Sequence, residues 1–544
     1  MKPAQGTVED RQPRTPGGHG SLAPLAAVIG VILAAHLSLA PGIAGVDAFY
    51  HLGHAAVYAH RGLLDTSFPW VTQSIIGDLG ADLWWGLHMI LVPFTVLGDV
   101  ATEIRVAALA FTSALAACVW WMLRRHGVPG AGWWTALFLV AVPNVLFRYL
   151  MVRPHVLSLA AALLMLSFLT RGRWWQVLLA AAAITWLHLG LFWMAPGIVV
   201  AYALACAVAR RPPGDTSTGV PLPAAFAAVL VGTVLGWLLR PHPFATAELA
   251  YVQIVRLFEE KATTRPLIFA TELLPLPLLD LVRSAWAFLL AWVAAHIVGV
   301  VAHIRGKGQS FPLPERRLLA ASLFISGAFL LLTVFTARRA LVELTAFGFL
   351  ALPLVWTWLI PGTSRRWAGL AMTLLVAVHL PWTAWRHSLN ARFVAVPGSD
   401  LAEVATWLKA NSRPGDIVFQ THWDDFGPLF ARNRVDRYLG GMDPIFQYAH
   451  DPGRYWEQFY LSADLTQDYT CDAFPCYEGK ATDTWTAIRE HFGARWILVE
   501  PRRNPKLSQY LLKSPHFELA LSTRHEAIFR VLDPPTPTSD RPGS

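Results

Sequence analysis

The sequence predicts a polytopic α-helical membrane protein with a soluble α/β domain at its C-terminal end. Three observations predict it. Of 544 residues, 54% are hydrophobic and only 15% charged, whereas about a quarter of a soluble domain is charged. Residues 21–40, 103–123, 280–303 and 340–360 are apolar runs close to or beyond the ~18 residues that read as a spanning helix. The chain has 24 tryptophans, several in pairs at the ends of apolar runs: Trp84-Trp85, Trp120-Trp121, Trp133-Trp134 and Trp174-Trp175. An amphipathic ring belongs at headgroup level.

The elements follow in order. A polar, Pro/Gly-rich tail, 1–20, carries Lys2, Arg11 and Arg14 and reads as disordered and cytoplasmic. The run from Ser21 has no small-residue cleavage site and reads as a retained first helix. Candidate spans are 21–40, 103–123, 131–147, 154–170, 174–187, 190–209, 221–239, 280–303, 317–336, 340–360 and 366–384, about eleven in all. This count puts the basic turns at Arg124-Arg125, Arg171/Arg173, Arg210-Arg211, Arg305 to Arg317 and Arg365-Arg366 inside, as the positive-inside rule requires, and the C-terminal domain outside. Residues 84–98 are apolar but short. Counting them as a span would invert every later loop, so they read as an interfacial or re-entrant helix in a first outer loop, 41–102. The net charge of +8 is thus topological, and nucleic acid is not the expected partner.

The membrane domain is expected to cover 21–388 and the outer α/β domain 389–534, with a disordered tail over 535–544. Asp400-Leu-Ala-Glu403 has the spacing of a capping box. Gly415–Gln420 and Arg495–Glu500 read as buried strands, with helices near 453–462 and 481–492 between them. Cys118 and Cys206 lie in apolar runs. Cys471 and Cys476 either bridge, in an oxidising compartment, or stay free; their spacing leaves both open.

The outer turns gather polar groups: Asp47-Ala-Phe-Tyr-His51, His54, Asp78, Asp82 and His88; Arg148, Arg153 and His155; His188; Arg240-Pro-His242 with Glu248; and Arg338-Arg339 with Glu343. Charge at membrane depth is expensive and marks function by default. Asp47, His51, Asp82 and His88 have the chemistry of a base or of oxygen and nitrogen ligands. The arginines match a phosphate, which planar guanidinium forks grip well. Each member also has a plainer reading. Asp47 would serve as an N-cap, His51 and His54 as interfacial surface residues, and Arg153 and Arg240 as headgroup contacts before proline. Arg338-Arg339 breaks an apolar stretch on the side the charge rule disfavours, which calls for an anionic partner.

At Asp47-Ala-Phe-Tyr-His51 the chain resembles the GT-C glycosyltransferases, which include oligosaccharyltransferase catalytic subunits, protein O-mannosyltransferases and bacterial aminoarabinose transferases. His422-Trp-Asp-Asp-Phe-Gly427 contains a segment similar to the Trp-Trp-Asp-Tyr-Gly acceptor motif of oligosaccharyltransferases, with Asp424 in place of Trp and Phe426 in place of Tyr. The resemblance implies transfer of a sugar from a polyprenyl-phosphate-linked donor, with inversion, to an acceptor glycan, lipid or protein. It casts Asp47 as general base assisted by His51. Arg153, Arg240, Arg338 and Arg339 would hold the donor phosphate. Asp82, His88, His155 and His242 would either orient the site or hold a divalent metal such as Mg or Mn. Trp423, Asp425 and Tyr438 would face the acceptor. The expected location is a bacterial inner membrane. The rival readings are a transporter or flippase of a lipid-linked anion, against which no internal repeat is found, and a non-catalytic scaffold.

Overall fold

The computed structural model describes residues 22–209, 219–263, 267–268, 270–305, 311–360 and 362–533. The expectations for the two tails, for Arg210-Arg211 and for part of the turn after Arg305 lie outside these residues. Helix α1 (Ala23–Leu39) leads through strand β1 (Gly42–Ile43) to α2 (Asp47–Arg61), the short α3 (Ile75–Leu79) and α4 (Trp85–Leu91). The bundle follows: α5 (Val100–Arg125), α6 (Ala131–Val140), α7 (Pro143–Tyr149), α8 (Pro154–Arg171), α9 (Trp174–Leu187), α10 (Met194–Val208), α11 (Leu222–Leu238), α12 (Pro243–Tyr251), α13 (Leu257–Lys261), α14 (Leu278–Ile304), α15 (Leu313–Phe335), α16 (Leu341–Trp358) and α17 (Gly362–Phe393).

Seven described helices are long and apolar enough to cross a membrane, or nine if each of two bent pairs is one span. The bends are 100° between α6 and α7 and 107° after α11. The predicted span 131–147 is therefore broken at Ala141-Val142. The predicted spans 21–40 and 174–187 are shorter apolar helices of 17 and 14 residues. Segment 84–98 contains only α4 and one 3-10 turn, too short to span. Trp120, Trp121, Trp133, Trp174 and Trp175 are exposed on the bundle. Arg124 and Arg125 lie over the Trp120 and Trp121 rings. Trp84 departs from the pattern: it is buried beside Tyr50 and His51.

Two joints hold the bundle. Along α11, Gly232 and Gly236 abut α9, and a Cβ at either would collide with the carbonyl of Leu178 or Ala182. Such small residues let helix backbones approach where no hydrophobic force distinguishes protein from lipid. Gly232→Leu should therefore cost about 1–3 kcal/mol through overpacking. Gly197→Leu on α10 should cost little, since a Cβ there meets nothing within 4 Å. Thermal unfolding of the two variants in detergent checks this ordering. At the far end of α5, buried Glu315 accepts from His126 Nδ1 (3.0 Å) and Arg171 Nε (2.5 Å), and His126 Nε2 meets Ser167 Oγ at 3.0 Å. This cluster ties α5, α8 and α15 together.

The C-terminal part opens with β2 (Val396–Pro397), which pairs antiparallel with β1. Residues 42–43 and 396–397 thus lie on one side of the membrane, and the number of crossings between them is even. Helix α18 (Ala402–Asn411) follows. The expected capping box does not form: Leu401, in the left-handed region, occupies the N-cap without a side-chain bond. Next come β3 (Ile417–Gln420), α19 (Phe426–Arg432), β4 (Arg437–Tyr438), α20 (Pro444–His450), α21 (Pro452–Ser462), β5 (Tyr469–Cys471) and β6 (Ala481–Asp483). The chain ends with β7 (Ala494–Val499), β8 (Phe517–Ser522) and β9 (Ala527–Val531). One mixed sheet has the order β4-β3-β7-β9-β8, parallel on its β3 flanks and antiparallel beyond β7. A separate β5–β6 hairpin carries the Cys471–Cys476 disulfide. Of the predicted helix 481–492, the first three residues are instead β6.

The loop between α2 and α5 is part of this sheet. Thr72 N donates to Tyr438 O, Tyr438 N to Trp70 O and Gln73 N to Leu439 O, extending the β4 edge. Beneath it α2 packs on α19, with Tyr50, Phe68, Phe426 and Phe430 forming an aromatic core. That packing places the start of α2 against the start of α19.

Candidate active site

Asp47 is the first residue of α2, where a carboxylate complements the helix dipole. It does not cap: the N-cap is Val46, without a side-chain bond. Its Oδ2 lies 2.6 Å from Arg153 Nη2. Arg153 precedes Pro154 in extended conformation, which aims its guanidinium back at α2. It also reaches Glu272, Nη1 to Oε2 at 2.9 Å, and Arg148 Nη1 meets the same Glu272 oxygen at 2.7 Å. The result is an alternating chain, Asp47–Arg153–Glu272–Arg148. Burial raises the Asp47 carboxyl above its usual range despite Arg153. Burial also works to raise Glu272, but Arg153 and Arg148 hold it well below.

Asp47 shares a cleft with Val46, Tyr50, Trp423, Asp424, Gly427 and Met442. Trp423 also walls a cavity of about 100 Å³ with Gln447, Tyr455, Gln458, Phe459 and Arg503. Trp423–Asp425 is one 3-10 turn leading into α19. Asp425 is buried, its Oδ2 has no partner among the described residues, and burial with neighbouring Asp424 pushes its carboxyl well up. A raised folded value means a proton is released on unfolding. Stability then falls as pH climbs from the ordinary carboxylate range through the folded value. Asp425→Asn should shrink the change in melting temperature between pH 4.5 and 7.5. An unchanged difference would refute it.

Behind Asp47 lies a buried polar row. His51 Nδ1 meets His88 Nε2 at 2.9 Å, and His88 Nδ1 meets Asp82 Oδ2 at 2.6 Å. Asp82 further accepts from Tyr58 Oη and Trp84 N, both at 2.9 Å. Burial works against the Asp82 charge, yet His88 and His54 hold its carboxyl below the usual range. His51 and His54 are buried, not surface residues, and burial lowers both imidazoles.

His54, Asp82 and His88 offer ligand atoms within 4.8 Å of one another, so this His/Asp cluster could bind a metal. His54 Nε2, buried without a partner among the described residues, is free to ligate. The other two groups fit less well. His88 and Asp82 are already bonded to each other, Nδ1 to Oδ2 at 2.6 Å. Mg also prefers oxygen ligands to imidazole. His155 and His242 lie outside the cluster: His155 Nε2 contacts Arg148 O at 3.2 Å, and His242 is exposed at the start of α12.

Two further expectations need correction. Arg240 is buried and gives both terminal nitrogens to the carbonyls of Leu83, Thr185 and Trp186, which joins the turn before α4 to α9 and leaves only the buried Nε without a partner among the described residues. Tyr438 is fully buried in β4, its hydroxyl donating to Asn433 O at 2.9 Å, so it is core and not the mouth of a site. Arg338 pins the loop after Glu272, its amide donating to Leu274 O and its side chain to Pro275 O. Arg339 is exposed, and its side chain makes no hydrogen bond or ion pair among the described residues. Its charge acts on Glu272 and on Asp443, whose carboxyl burial raises to about 6. Glu272 is missing from the sequence-derived set. Its signal was a lone carboxylate in the apolar, proline-bearing stretch before α14, the same signal that singled out the arginines.

No protein-family model and no curated protein matches the chain. Solved structures do. ArnT from Cupriavidus metallidurans bound to undecaprenyl phosphate matches with a TM-score of 0.53 at 15% identity, over 94% of this chain and 98% of that one. The Archaeoglobus fulgidus oligosaccharyltransferase tethered to an acceptor peptide containing the NVT sequon matches at 0.51 and 12%, over 94% and 74%. Both are GT-C glycosyltransferases. The chain has the GT-C fold. At these identities the likeness concerns architecture: a multi-pass helical bundle, with a small mixed α/β unit at the C-terminal end. Within the GT-C fold of this chain, Asp47 stands where the segment after α1 meets that unit.

Proposed function

We propose that the chain is a membrane glycosyltransferase that moves a sugar from a polyprenyl-phosphate donor to an acceptor on the extracytoplasmic face, with inversion at the anomeric carbon. The observation that carries this reading is the placement of Asp47. Its carboxylate lies between an arginine pair and the Trp423–Asp424 turn of the C-terminal unit. A base is thereby set between an anion-binding wall and a second wall of different chemistry. The acceptor hydroxyl loses its proton to Asp47 as its oxygen bonds to the anomeric carbon. The bond from that carbon to the phosphate oxygen breaks, and the phosphate leaves with the electron pair. Arg153, with exposed Arg339 facing the same network, neutralises the growing charge. Trp423 lines the acceptor side, with Asp425 buried behind it in the same turn. Undecaprenyl phosphate in the ArnT structure and a peptide acceptor in the oligosaccharyltransferase structure favour a lipid-linked donor. The location would be a bacterial inner membrane.

The test is direct. The detergent-purified chain is incubated with radiolabelled undecaprenyl-phosphate-linked hexoses and pentoses, and sugar release or transfer to membrane extracts is followed for wild type and Asp47→Asn. Turnover lost in the variant supports the reading. Binding without turnover in both proteins overturns it in favour of transport.

A further inference from the structure

Trp423 lines two spaces, the cleft of Asp47 and a neighbouring cavity of about 100 Å³. One water needs roughly 10–15 Å³ of such space, so the cavity admits a ring-sized solute. Its walls come from the loop after β3, from α20 and α21, and from the turn after β7. They are aromatic and amide in character: Trp423, Tyr455 and Phe459 stand beside His422, Gln447 and Arg503. The Trp423 ring is half-buried and meets no other aromatic ring among the described residues. One flat apolar face is thus left uncovered at the junction of the two spaces.

The polar groups of the walls are oriented by backbone carbonyls. Gln458 donates through Nε2 to Gln420 O at 2.9 Å, so its Oε1 is an acceptor and takes the Nε2 of Gln447. Gln447 therefore ends the row with a bare Oε1. The residue is only 6% exposed, yet that oxygen has no partner among the described residues and is not sealed off by protein. Asn504 Nδ2 donates to the carbonyls of Leu461 and Ser462. Its Oδ1 then accepts from His422 Nε2 at 2.7 Å, which leaves Nδ1 of the neutral ring as a second open acceptor. Tyr455 Oη accepts from Ile268 N at 2.9 Å, and its own proton has no acceptor among the described residues. The indole Nε1 of Trp423 is likewise a donor without a partner there. Two open donors and two open acceptors result, all uncharged. The one cation in the wall is already matched: Arg503 Nη1 meets Glu500 Oε1 at 2.8 Å, and its Nη2 lies 3.5 Å from Asp424 Oδ1.

We propose that this cavity is a subsite for a neutral sugar unit, so that the acceptor is a glycan of at least two units: one offers its hydroxyl to Asp47, and its neighbour lies beyond Trp423 against Gln447. The inference rests on the transferase reading above and names the acceptor class which that reading leaves open. A hydroxyl both donates and accepts, so a polyol satisfies all four open groups at once. A phosphate or carboxylate, which only accepts, would leave Gln447 Oε1 and His422 Nδ1 facing its charge, and an ammonium would leave the two donors unmatched. The C–H face of a sugar ring covers the bare Trp423 ring, as an apolar body meets an aromatic face. An extended peptide would need a free strand edge. Here β3 is paired on both sides, and the β4 edge is covered by residues 70–73. Gln447 and Trp423 set acceptor specificity in this scheme, and the chemistry stays with Asp47.

Two measurements decide it. The first needs no donor. Saturation-transfer NMR is recorded on the full chain in a detergent without sugar headgroups. The probes are neutral oligosaccharides of gluco, galacto, manno and arabino units, and a capped peptide carrying the NVT sequon. Binding of a neutral oligosaccharide is expected. Gln447→Met should weaken it about tenfold, the weight of one hydrogen bond, and Trp423→Ala at least as much, while Trp423→Phe keeps the ring and most of the affinity. Melting curves show that each variant is folded, and Trp423→Ala, at a half-buried position, decides the matter if Gln447→Met does not fold. Binding of the peptide alone, of no neutral oligosaccharide, or of oligosaccharides with equal strength by wild type and variants would each overturn the subsite. The second measurement adds the labelled undecaprenyl-phosphate sugars. Gln447→Met should raise KM for the oligosaccharide about tenfold more than KM for the donor; equal changes in both would refute a role on the acceptor side. The two readings fail separately. Donor turnover without oligosaccharide binding sinks the subsite and spares the transferase. Binding that depends on Trp423 and Gln447, with no turnover of any donor, sinks the transferase and the acceptor role and leaves a saccharide site.

Discussion

Asp47→Asn is expected to lower turnover by about 10²–10⁴-fold, the range a positioned general base supplies, with the fold intact. The change is isosteric, and Arg153 keeps a carboxylate partner because Glu272 holds its other nitrogen. The loss in stability should stay within about 1–2 kcal/mol, the scale of one charge-assisted hydrogen bond. Asp47→Glu keeps the chemistry but moves the oxygens by a methylene, and should retain part of the rate. Single-turnover kinetics with a saturating donor, beside a melting curve in the same detergent, separates the rate effect from unfolding. An Asn variant within tenfold of wild type would remove Asp47 from the chemistry.

Glu315→Leu is expected to be the most destabilising single change at the opposite end of the bundle, by about 3 kcal/mol, the cost of removing one partner from a buried ion pair. The carboxylate is fully buried in the first turn of α15 and serves both His126 and Arg171. Without it, the Nδ1 of His126 has no acceptor inside the protein, and α15 loses a negative charge that its N-terminus favours. Ser167→Ala removes only a neutral hydroxyl contact and should cost about 1 kcal/mol. Because α5 separates this cluster from the outer loop by about 39 Å of helix, kcat at a permissive temperature should be unchanged in both variants. Equal melting temperatures for Glu315→Leu and wild type would show that the cluster holds nothing together.

What the sequence made legible was what depends on local chemistry. Apolar length gave the bundle, and charge parity kept 84–98 out of the span count; that segment holds only the seven-residue α4 and one 3-10 turn. Asp47 was legible because a carboxylate just past an apolar run has few reasons to be there. The errors share a cause: a side chain was assigned by its type while its partners came from distant segments. Arg240 looked like a phosphate ligand, but its acceptors are carbonyls of residues 83, 185 and 186. Tyr438 was expected to face the acceptor, but its edge is covered by residues 70–73. The plainer reading of His51 and His54 as interfacial surface residues fails because Phe68, Trp84 and His88, from the segment after α2, close over them. Glu272 pairs with arginines 119 and 124 residues earlier, a separation no local pattern encodes.

The seam between the outer loop and the β4 edge has a consequence for biogenesis. Trp70 bonds to the carbonyl of Arg434, 364 residues later. At ribosomal rates of about 5–20 residues per second, roughly 20–70 s pass between the synthesis of the two. For that interval the segment around Trp70 has left the ribosome with its backbone edge unmet, and the wall opposite Asp47 does not yet exist. A nascent chain therefore lacks the cleft around Asp47 until residues 423–442 have been made. A chaperone or neighbouring subunit that shields residues 70–73 during that wait would raise the yield of the protein without touching any residue of the finished site.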